Sequence, residues 1–132
     1  FATLHTNDSA QTIDRIIDVF PARQQNQIRS QLASVLLGVV CQRLVPRIQG
    51  GRVAAVEILL KNHAVENLIR ENKGYQIDSV IETSLKDGMV SLDRALADMV
   101  QRGEVSVEDA LRYCKNRDYF QASMGQGAYV IS

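Results

Sequence analysis

The fold of this 132-residue chain is decided by two β-prone runs, Gln42–Ile48 (QRLVPRI) and Arg52–Leu60 (RVAAVEILL), which flank Gln49-Gly50-Gly51. Runs rich in valine, leucine and isoleucine on either side of a Gly-Gly turn are typical of a β-hairpin. Pro46 has no backbone N–H to donate, so the first run must lie at a sheet edge or at the end of the ladder. We therefore predict one hairpin near the middle of the chain.

A carboxylate lies inside the second run of this hairpin, at Glu57. Burying a carboxylate without a partner is costly, because the charge loses its hydration. We therefore expect Glu57 to face solvent or to pair with an arginine such as Arg43 or Arg52.

Upstream of the hairpin, the pattern predicts a strand and a capped helix. Phe1–Thr6 is an apolar, β-prone run with His5 near its carboxyl end. Asp8 is a suitable N-cap, with Gln11 as its capping-box partner, for a helix that ends near Pro21.

A second helix is predicted from Ala22 to Cys41, with a polar first half. Its apolar residues recur at helical spacing and form a stripe: Ile28, Leu32, Val35, Leu36, Val39 and Val40.

Downstream of the hairpin the pattern is helical throughout. Asn62, Ser91 and Ser106 are suitable N-caps, and Gly88 and Gly103 are suitable helix stops. The segment 121–132 contains Gly125-Gln126-Gly127, and we predict that it is a mobile tail.

The composition argues against several classes of protein, although a local basic patch remains open. The chain carries 15 Lys and Arg against 15 Asp and Glu, a formal charge of zero, whereas binders of nucleic acid or of anionic membranes need a basic excess. Cys41 and Cys114 are far apart in apolar patterns, which favours buried free thiols over a disulfide or a metal site. The longest apolar run, Val35 to Cys41, is too short to cross a membrane. We expect a cytoplasmic protein with no bound metal of its own and no membrane insertion.

Four motifs occur in order along the chain: Thr3-Leu4-His5-Thr6 followed by TIDRIIDVFP at 12–21, RVAAVEIL at 52–59, AVENLIRE at 64–71, and Gly88-Met89 with Leu92-Asp93 and Ala95-Leu96. Together they resemble the motifs of the pilus retraction (twitching motility) ATPases, which belong to the hexameric type II/IV secretion ATPases. The first motif is similar to the family's His box.

The resemblance implies an α/β parent protein of which this chain is the C-terminal part. Residues 1–60 would complete a RecA-like P-loop NTPase core, with the His-box strand, two helices and the hairpin. Residues 61–120 would form a helical C-terminal subdomain, followed by the tail 121–132. The chain itself is then mainly α-helical, with one N-terminal strand and one hairpin.

The resemblance also implies a role for His5. A lone histidine at a strand end is more often structural than functional, and the residues alone leave that alternative open. In the family this residue contacts the γ-phosphate of ATP, and ligands bind at the carboxyl ends of strands in open α/β sheets. An imidazole can donate a hydrogen bond to a phosphate oxygen. Thr6 is a weaker candidate for the same task.

The AVENLIRE segment resembles a family motif, AIRNLIRE, that is needed for pilus retraction. Its apolar positions fit an amphipathic helix with an inward face, and Glu66 stands where the family motif has arginine. We assign a partner or retraction role to a set of residues in this segment, against the alternative of a solvated ion-pair face: Ala64, Asn67, Leu68, Ile69, Arg70 and Glu71.

The chain contains neither a glycine-rich phosphate loop with G-K-[ST] nor an acidic strand to hold magnesium. The resemblance implies that ATP and Mg²⁺ bind to the full-length parent, and that none binds tightly here. The parent would be a cytoplasmic homo-hexamer, peripheral at the inner membrane, where it meets the pilus inner-membrane platform protein. We expect this chain alone to be inactive and to self-associate through exposed strand edges.

Two other functions remain open at this point. One is a pilus assembly or type II secretion ATPase of the same superfamily. The other is a non-enzymatic helical protein-interaction module.

Overall fold

The computed structural model describes residues 8–131, with side chains as far as Met124. The described elements are α1 (Ser9–Asp18), α2 (Ala22–Val35), β1 (Gly38–Pro46), β2 (Arg52–Leu60), α3 (His63–Arg70), α4 (Ile77–Thr83), α5 (Leu92–Gln101), α6 (Val107–Tyr113) and α7 (Arg117–Ile131), with 3₁₀ turns at Gly74–Gln76 and Leu85–Asp87. The predicted strand Phe1–Thr6 lies outside the described residues.

The predicted hairpin is confirmed as a two-stranded sheet of β1 and β2. The backbone N–H of Arg47 donates to the carbonyl of Gly51 across the turn, at 3.0 Å. Gly50 and Gly51 have φ angles of 104° and 71°, a left-handed conformation that only glycine adopts without steric cost. Pro46 is the last residue of β1, where its missing N–H does not interrupt the ladder.

The prediction of a helix from Ala22 to Cys41 is wrong at its C-terminal end. Helix α2 ends at Val35, and β1 begins at Gly38. A Cβ atom on Gly38 would lie 2.8 Å from the carbonyl oxygen of Leu59, so the two strands approach closely here. The valines at 39 and 40 favour the strand once β2 is available as a partner.

Only part of the predicted apolar stripe contacts the core. Val35 and Val40 are 69% and 71% exposed, whereas the other four members pack against buried residues: Ile28, Leu32, Leu36 and Val39.

The four predicted N-caps are all present. Each cap side chain accepts a hydrogen bond from the backbone N–H three residues on, which satisfies a donor that the helix itself cannot: Asp8, Asn62, Ser91 and Ser106. Gly88 and Gly103 have φ angles of 91° and 76°. This conformation suits the stops predicted at these two positions.

The described residues divide into two compact units. The N-terminal unit comprises residues 8–41 and 57–90. Ile58 of β2 forms an antiparallel bridge with Val90 in this unit. Its buried core is drawn from α1, α2, β2, α3, α4 and the loop before α5: Ile13, Ile17, Ala33, Leu59, Val65, Ile69, Ile77, Ile81 and Met89.

The C-terminal unit comprises residues 42–56 and 91–131. Helix α5 packs against α6 and α7, and the side chain of Phe120 on α7 is fully buried. Its core residues are Val45, Ala55, Leu92, Leu96, Ala97, Met99, Val105, Ala110 and Phe120. The predicted division of the parent at residues 60 and 120 follows the family resemblance and stays a prediction.

Helix α7 continues to Ile131 and so includes most of the segment 121–132. The mobility expected of that segment also stays a prediction.

Candidate functional site

The candidate sensor residues His5 and Thr6 lie outside the described residues, so the first described feature near them is the start of α1. Ser9, the first residue of this helix, is fully buried, and Asp8 is 8% exposed. The Asp8 carboxylate accepts a hydrogen bond from the backbone N–H of Gln11 at 2.8 Å. The Thr12 hydroxyl donates to the Asp8 carbonyl at 2.9 Å. The start of α1 is thus fixed by short hydrogen bonds to both the side chain and the backbone carbonyl of Asp8.

Glu57 of β2 is also part of this region. The first alternative predicted for it, that it faces solvent, is wrong, and the second, pairing with an arginine such as Arg43 or Arg52, stays a prediction. Its side chain is 1% exposed, and its Oε2 atom accepts a hydrogen bond from the backbone N–H of Ser9 at 2.9 Å. Ala55 and Leu59 lie on the same face of β2 and are fully buried, because alternate residues of a strand point the same way. Strand alternation therefore places the Glu57 side chain inside.

Cys41 of β1 completes this buried polar cluster. Its Sγ atom lies 3.9 Å from the Ser9 hydroxyl and 3.7 Å from the Thr12 hydroxyl. We call Asp8, Ser9, Thr12, Cys41 and Glu57 the α1 entry cluster. Both strands of the hairpin thereby contact the start of α1 within the N-terminal unit.

The AVENLIRE motif forms helix α3, and the structure separates its residues into two faces. Val65 and Ile69 are buried at 0% and 2% exposure and join the core of the N-terminal unit, and Leu68 is half-buried against it. The residues that reach solvent lie on one side of the helix: Ala64, Asn67, Arg70 and Glu71. Helix α3 packs against α2 and α4. The structure therefore places four of the six candidate residues on a common surface and uses Leu68 and Ile69 for packing.

Glu66 has a specific local partner at the position where the family motif has arginine. Its carboxylate lies 2.9 Å from the Lys61 ammonium and 3.9 Å from His63 Nδ1. The hydrogen bond from Lys61 lowers the pKa of Glu66, and the nearby charges of Lys61, Arg70 and His63 act in the same direction.

The same lysine also contacts the end of α2. Its Nζ atom donates to the Ser34 carbonyl at 2.6 Å, one of the carbonyls that a helix C-terminus leaves free. Lys61 thus joins the last turn of α2 to the first turn of α3, and this link was not predicted from the sequence. A shallow cleft lined by Lys61, Asn62, His63 and Glu66 opens beside it.

The C-terminal end of α3 is stabilised by backbone hydrogen bonds and a surface ion pair. The Glu71 N–H donates to the Asn67 carbonyl at 2.9 Å, and the Glu71 carboxylate lies 3.5 Å from the Lys73 ammonium. Asn72 follows in a left-handed conformation, with φ 59°. His63, which matched no motif, has a fully exposed side chain.

In the C-terminal unit, the motif acid Asp93 has a structural task. It is 2% exposed, and its two carboxylate oxygens accept hydrogen bonds from the backbone N–H groups of Lys115 and Asn116, at 2.7 and 2.8 Å. These two groups lie between α6 and α7. Asp93 therefore anchors the turn that leads into α7, a role for which the sequence motif carried no separate signal.

The cysteines are free thiols, buried at Cys41 and half-buried at Cys114. Burial, and then the nearby charge of Asp93, raise the pKa of the Cys114 thiol above its ordinary value. Across the described residues, no cluster of three or more His, Cys, Asp or Glu side chains has the arrangement of a metal site. None of the described helices is both long and apolar enough to cross a membrane.

The sequence of the chain is similar to those of known proteins. Over 119 residues, 89% of its length, the chain is 46% identical to a twitching motility protein of Neisseria gonorrhoeae, of which it covers 32%. It is 45% identical over 120 residues, 91% of its length, to the type IV pilus retraction ATPase PilT of Pseudomonas aeruginosa, of which it covers 35%. The chain is homologous to part of a pilus retraction ATPase. No protein-family profile matches it.

A solved structure supports the same relationship. The crystal structure of the pilus retraction motor PilT with bound ADP superimposes with a TM-score of 0.74 at 40% identity, over 87% of this chain and 32% of that one. The predicted resemblance and the predicted fold class, a mainly helical segment of this kind of ATPase with one hairpin, are confirmed. The chain spans about a third of the length of its retraction-ATPase relatives.

Proposed function

We propose that this chain is the C-terminal part of a hexameric motor ATPase that couples ATP hydrolysis to type IV pilus retraction and twitching motility. The observation that carries the proposal is the 45–46% identity to a twitching motility protein and a pilus retraction ATPase over 89–91% of the chain. ATP and Mg²⁺ would bind largely to the part of the longer protein that precedes this segment, because hydrolysis requires a phosphate cradle and a metal site.

His5 is the residue that we propose acts on the nucleotide, by donating a hydrogen bond to the γ-phosphate, with Thr6 as a weaker contributor. Such a donor acts on charge that develops in the transition state, so its removal lowers kcat. In the full-length protein, His5→Ala should lower kcat for ATP hydrolysis by roughly 100-fold. His63→Ala is the matched control, because this second histidine is fully exposed and outside the motifs. Equal kcat values for the two variants would overturn the role of His5.

The exposed face of α3 is the surface that we propose contacts a neighbouring subunit or the pilus inner-membrane platform protein. Arg70 and Glu71 provide opposite charges there, beside Ala64 and Asn67. The double variant Arg70→Ala/Glu71→Ala in the full-length protein should retain ATPase activity and lose twitching. Glu108→Ala/Arg112→Ala is the control, since this exposed pair belongs to the C-terminal unit. Unimpaired twitching of the α3 variant would contradict the proposal.

The isolated chain should neither bind ATP tightly nor hydrolyse it, because it lacks the phosphate loop and the acidic magnesium strand. Steady-state phosphate release by the purified chain and by the full-length protein tests this directly. Turnover by the isolated chain would show that the catalytic residues lie within it. We place the full-length protein in the cytoplasm, peripheral at the inner membrane at the pilus base.

Retraction is distinguished from pilus assembly by the phenotype of a gene deletion. Loss of a retraction motor leaves cells that carry pili and do not twitch, whereas loss of an assembly or secretion motor leaves cells without pili or with a secretion defect. The identity to relatives named for retraction and twitching favours the first outcome.

We also propose that the isolated chain self-associates through the edge of β1. Within residues 8–131, β1 pairs with β2 alone, and unpaired strand edges promote association. Leu37 and Val40, at the start of this strand, are 82% and 71% exposed. Light scattering at high concentration should show dimers or larger species, and Val40→Lys should favour the monomer. Val19→Lys, at an equally exposed position on another element, is the control.

A further inference from the structure

The part of the β-hairpin that belongs to the C-terminal unit carries a local excess of positive charge. The whole chain is neutral, with 15 basic and 15 acidic residues, but its segment 42–56 contains three arginines and no Asp or Glu. These arginines are Arg43, Arg47 and Arg52. The hairpin segment is therefore a basic patch in a chain that has no basic excess overall.

The three arginines differ in what they contact. The guanidinium of Arg43 lies over the ring of Tyr113, 5.0 Å from its centroid, in a cation–π contact within the C-terminal unit. Arg47 and Arg52 flank the Gly-Gly turn, and both are exposed. Neither of them forms an ion pair with any residue that the structure describes. Two cationic side chains at the tip are thus available to an anionic partner.

The tip projects into open space, while its base is fixed. A Cβ atom on Gly50 or Gly51 would meet no atom within 4 Å, and Ile48 is 60% exposed. The backbone N–H of Ile48 donates to the Glu104 carbonyl at 2.9 Å, which attaches the tip to the loop before α6. The Glu104 carboxylate lies 3.6 Å from Arg102, so this neighbouring acid already has a cationic partner.

We propose that the hairpin tip, residues 47–52, is a contact site for a bilayer of anionic phospholipids. Arg47 and Arg52 bind lipid phosphates, because a guanidinium donates paired hydrogen bonds that phosphate oxygens accept. Ile48 enters the boundary between headgroups and acyl chains, where apolar side chains of peripheral proteins are buried. This exposed isoleucine favours a bilayer over nucleic acid, since a phosphate backbone offers it no apolar surface to pack against.

The contact of a single tip is weak. Each arginine adds only a modest electrostatic attraction to an anionic surface, and one isoleucine buries a small apolar area. The hexamer proposed above presents one tip per subunit on the same side of the ring, and several weak contacts made by one assembly raise its overall affinity. The full-length protein is therefore the form to test.

The test is sedimentation of the full-length protein with lipid vesicles. The wild type should bind vesicles of phosphatidylglycerol and phosphatidylcholine, bind less as salt is added, and ignore vesicles of phosphatidylcholine alone. Arg47→Gln/Arg52→Gln should lower partitioning to the anionic vesicles by about tenfold or more. Ile48→Ser should lower it by a smaller factor, about threefold, and leave its salt dependence unchanged.

Arg23→Gln/Arg117→Gln is the matched control. It removes the same charge from two exposed positions outside the hairpin and should bind as the wild type does. Circular dichroism verifies that every variant is folded.

Two results would overturn the lipid site: no binding of the wild type to the anionic vesicles, or equal partitioning of the tip variant and the control. A tip variant that binds vesicles normally but abolishes twitching would place a protein partner at the tip, which also overturns the lipid site. Vesicle binding is measured without ATP, so this inference goes beyond the proposed motor function and succeeds or fails separately from it.

Discussion

Each of the two compact units contains a buried acid from a recognisable motif, and the two acids are used differently. Asp93 in the C-terminal unit accepts from two consecutive N–H groups, at Lys115 and Asn116, which follow it by 22 and 23 residues. Glu57 in the N-terminal unit accepts from Ser9, which precedes it by 48 residues. Both acids bind the backbone near the beginning of a helix, α7 in one unit and α1 in the other.

The two acids differ in the helix that each one anchors, α7 for Asp93 and α1 for Glu57, and in the parts of the chain that contact that helix. Asp93 lies on α5 and orders the turn that precedes α7, and α7 packs against α5. The stabilising effect of Asp93 is therefore confined to these neighbouring helices. Glu57 orders the start of α1, and the chain preceding that helix carries His5. The same chemistry therefore joins neighbouring helices in the C-terminal unit and joins the hairpin to α1 in the N-terminal unit.

The largest expected effect comes from breaking the anchor in the C-terminal unit. Asp93→Ala leaves two backbone N–H groups without their acceptor and should lower the free energy of unfolding by about 3 kcal/mol. Urea unfolding followed by circular dichroism measures this loss. Asp98→Ala on the same helix is the control, since its ion pair with Arg94 is long, at 3.9 Å, and partly exposed. A comparable loss in both variants would show that Asp93 has no special role.

Breaking the anchor in the N-terminal unit should cost less and act more locally. Glu57→Ala removes the acceptor of Ser9 and should lower the free energy of unfolding by about 2 kcal/mol. Hydrogen exchange should become faster in α1, while α5 and α6 keep their protection. A uniform loss of protection in both units would mean that the two units unfold together, and it would contradict a local effect of Glu57.

The two units can also be compared through their helix N-caps, which make the same kind of hydrogen bond to the backbone. Asn62→Ala in the N-terminal unit and Ser106→Ala in the C-terminal unit each delete one cap hydrogen bond, of 2.8 and 3.1 Å. Each should cost about 1 kcal/mol. Thermal unfolding of the two variants side by side measures both costs, and a difference greater than about 1 kcal/mol would indicate that one helix contributes little to its unit.

The smallest effect is expected at Glu66, and it should depend on pH. The pKa of Glu66 is lowered from its ordinary value of 4.5, chiefly by the hydrogen bond from Lys61. An acid with a lowered folded-state pKa adds stability above its unfolded-state pKa, and that stability is lost as the pH falls through the folded-state pKa. Glu66→Gln should therefore slightly lower the melting temperature at neutral pH, and its difference from the wild type should shrink as the pH falls below 4.5.

Glu108→Gln is the control for this measurement, because its pairing with Arg112 is looser, at 3.7 Å, and its side chain is 83% exposed. If Glu66→Gln lowers the melting temperature equally at every pH, the Glu66 side chain stabilises the fold by packing and not by its ion pair. High salt should reduce the effect, since exposed pairs are screened.

Local rules predicted much of this fold because the features concerned are local. A Gly-Gly turn between β-prone runs, and Asp, Asn or Ser immediately before a helix, bring their partners within a few residues. The sequence motifs likewise identified α3 as a candidate surface, and its apolar spacing predicted an inward face that includes Ile69 and not the exposed Arg70.

The failures have equally specific causes. Val39 and Val40 continue the helical spacing of α2, and only the pairing with β2 makes them a strand. The inward direction of Glu57 follows from strand alternation with Ala55 and Leu59, but its donor is 48 residues away in sequence. The bond between Lys61 and the Ser34 carbonyl spans 27 residues. Contacts at such separations leave no mark in local periodicity.

The close approach of the backbone at Gly38 has a consequence for mutational studies of this protein. Any side chain there would meet the carbonyl oxygen of Leu59 within 2.8 Å and a methyl group of Leu60 at 3.3 Å. In a saturation-mutagenesis selection, Gly38 would therefore be as intolerant as a residue that binds nucleotide. Growth or motility alone would not distinguish the two, whereas the amount of folded protein would, since only substitutions at Gly38 would deplete it.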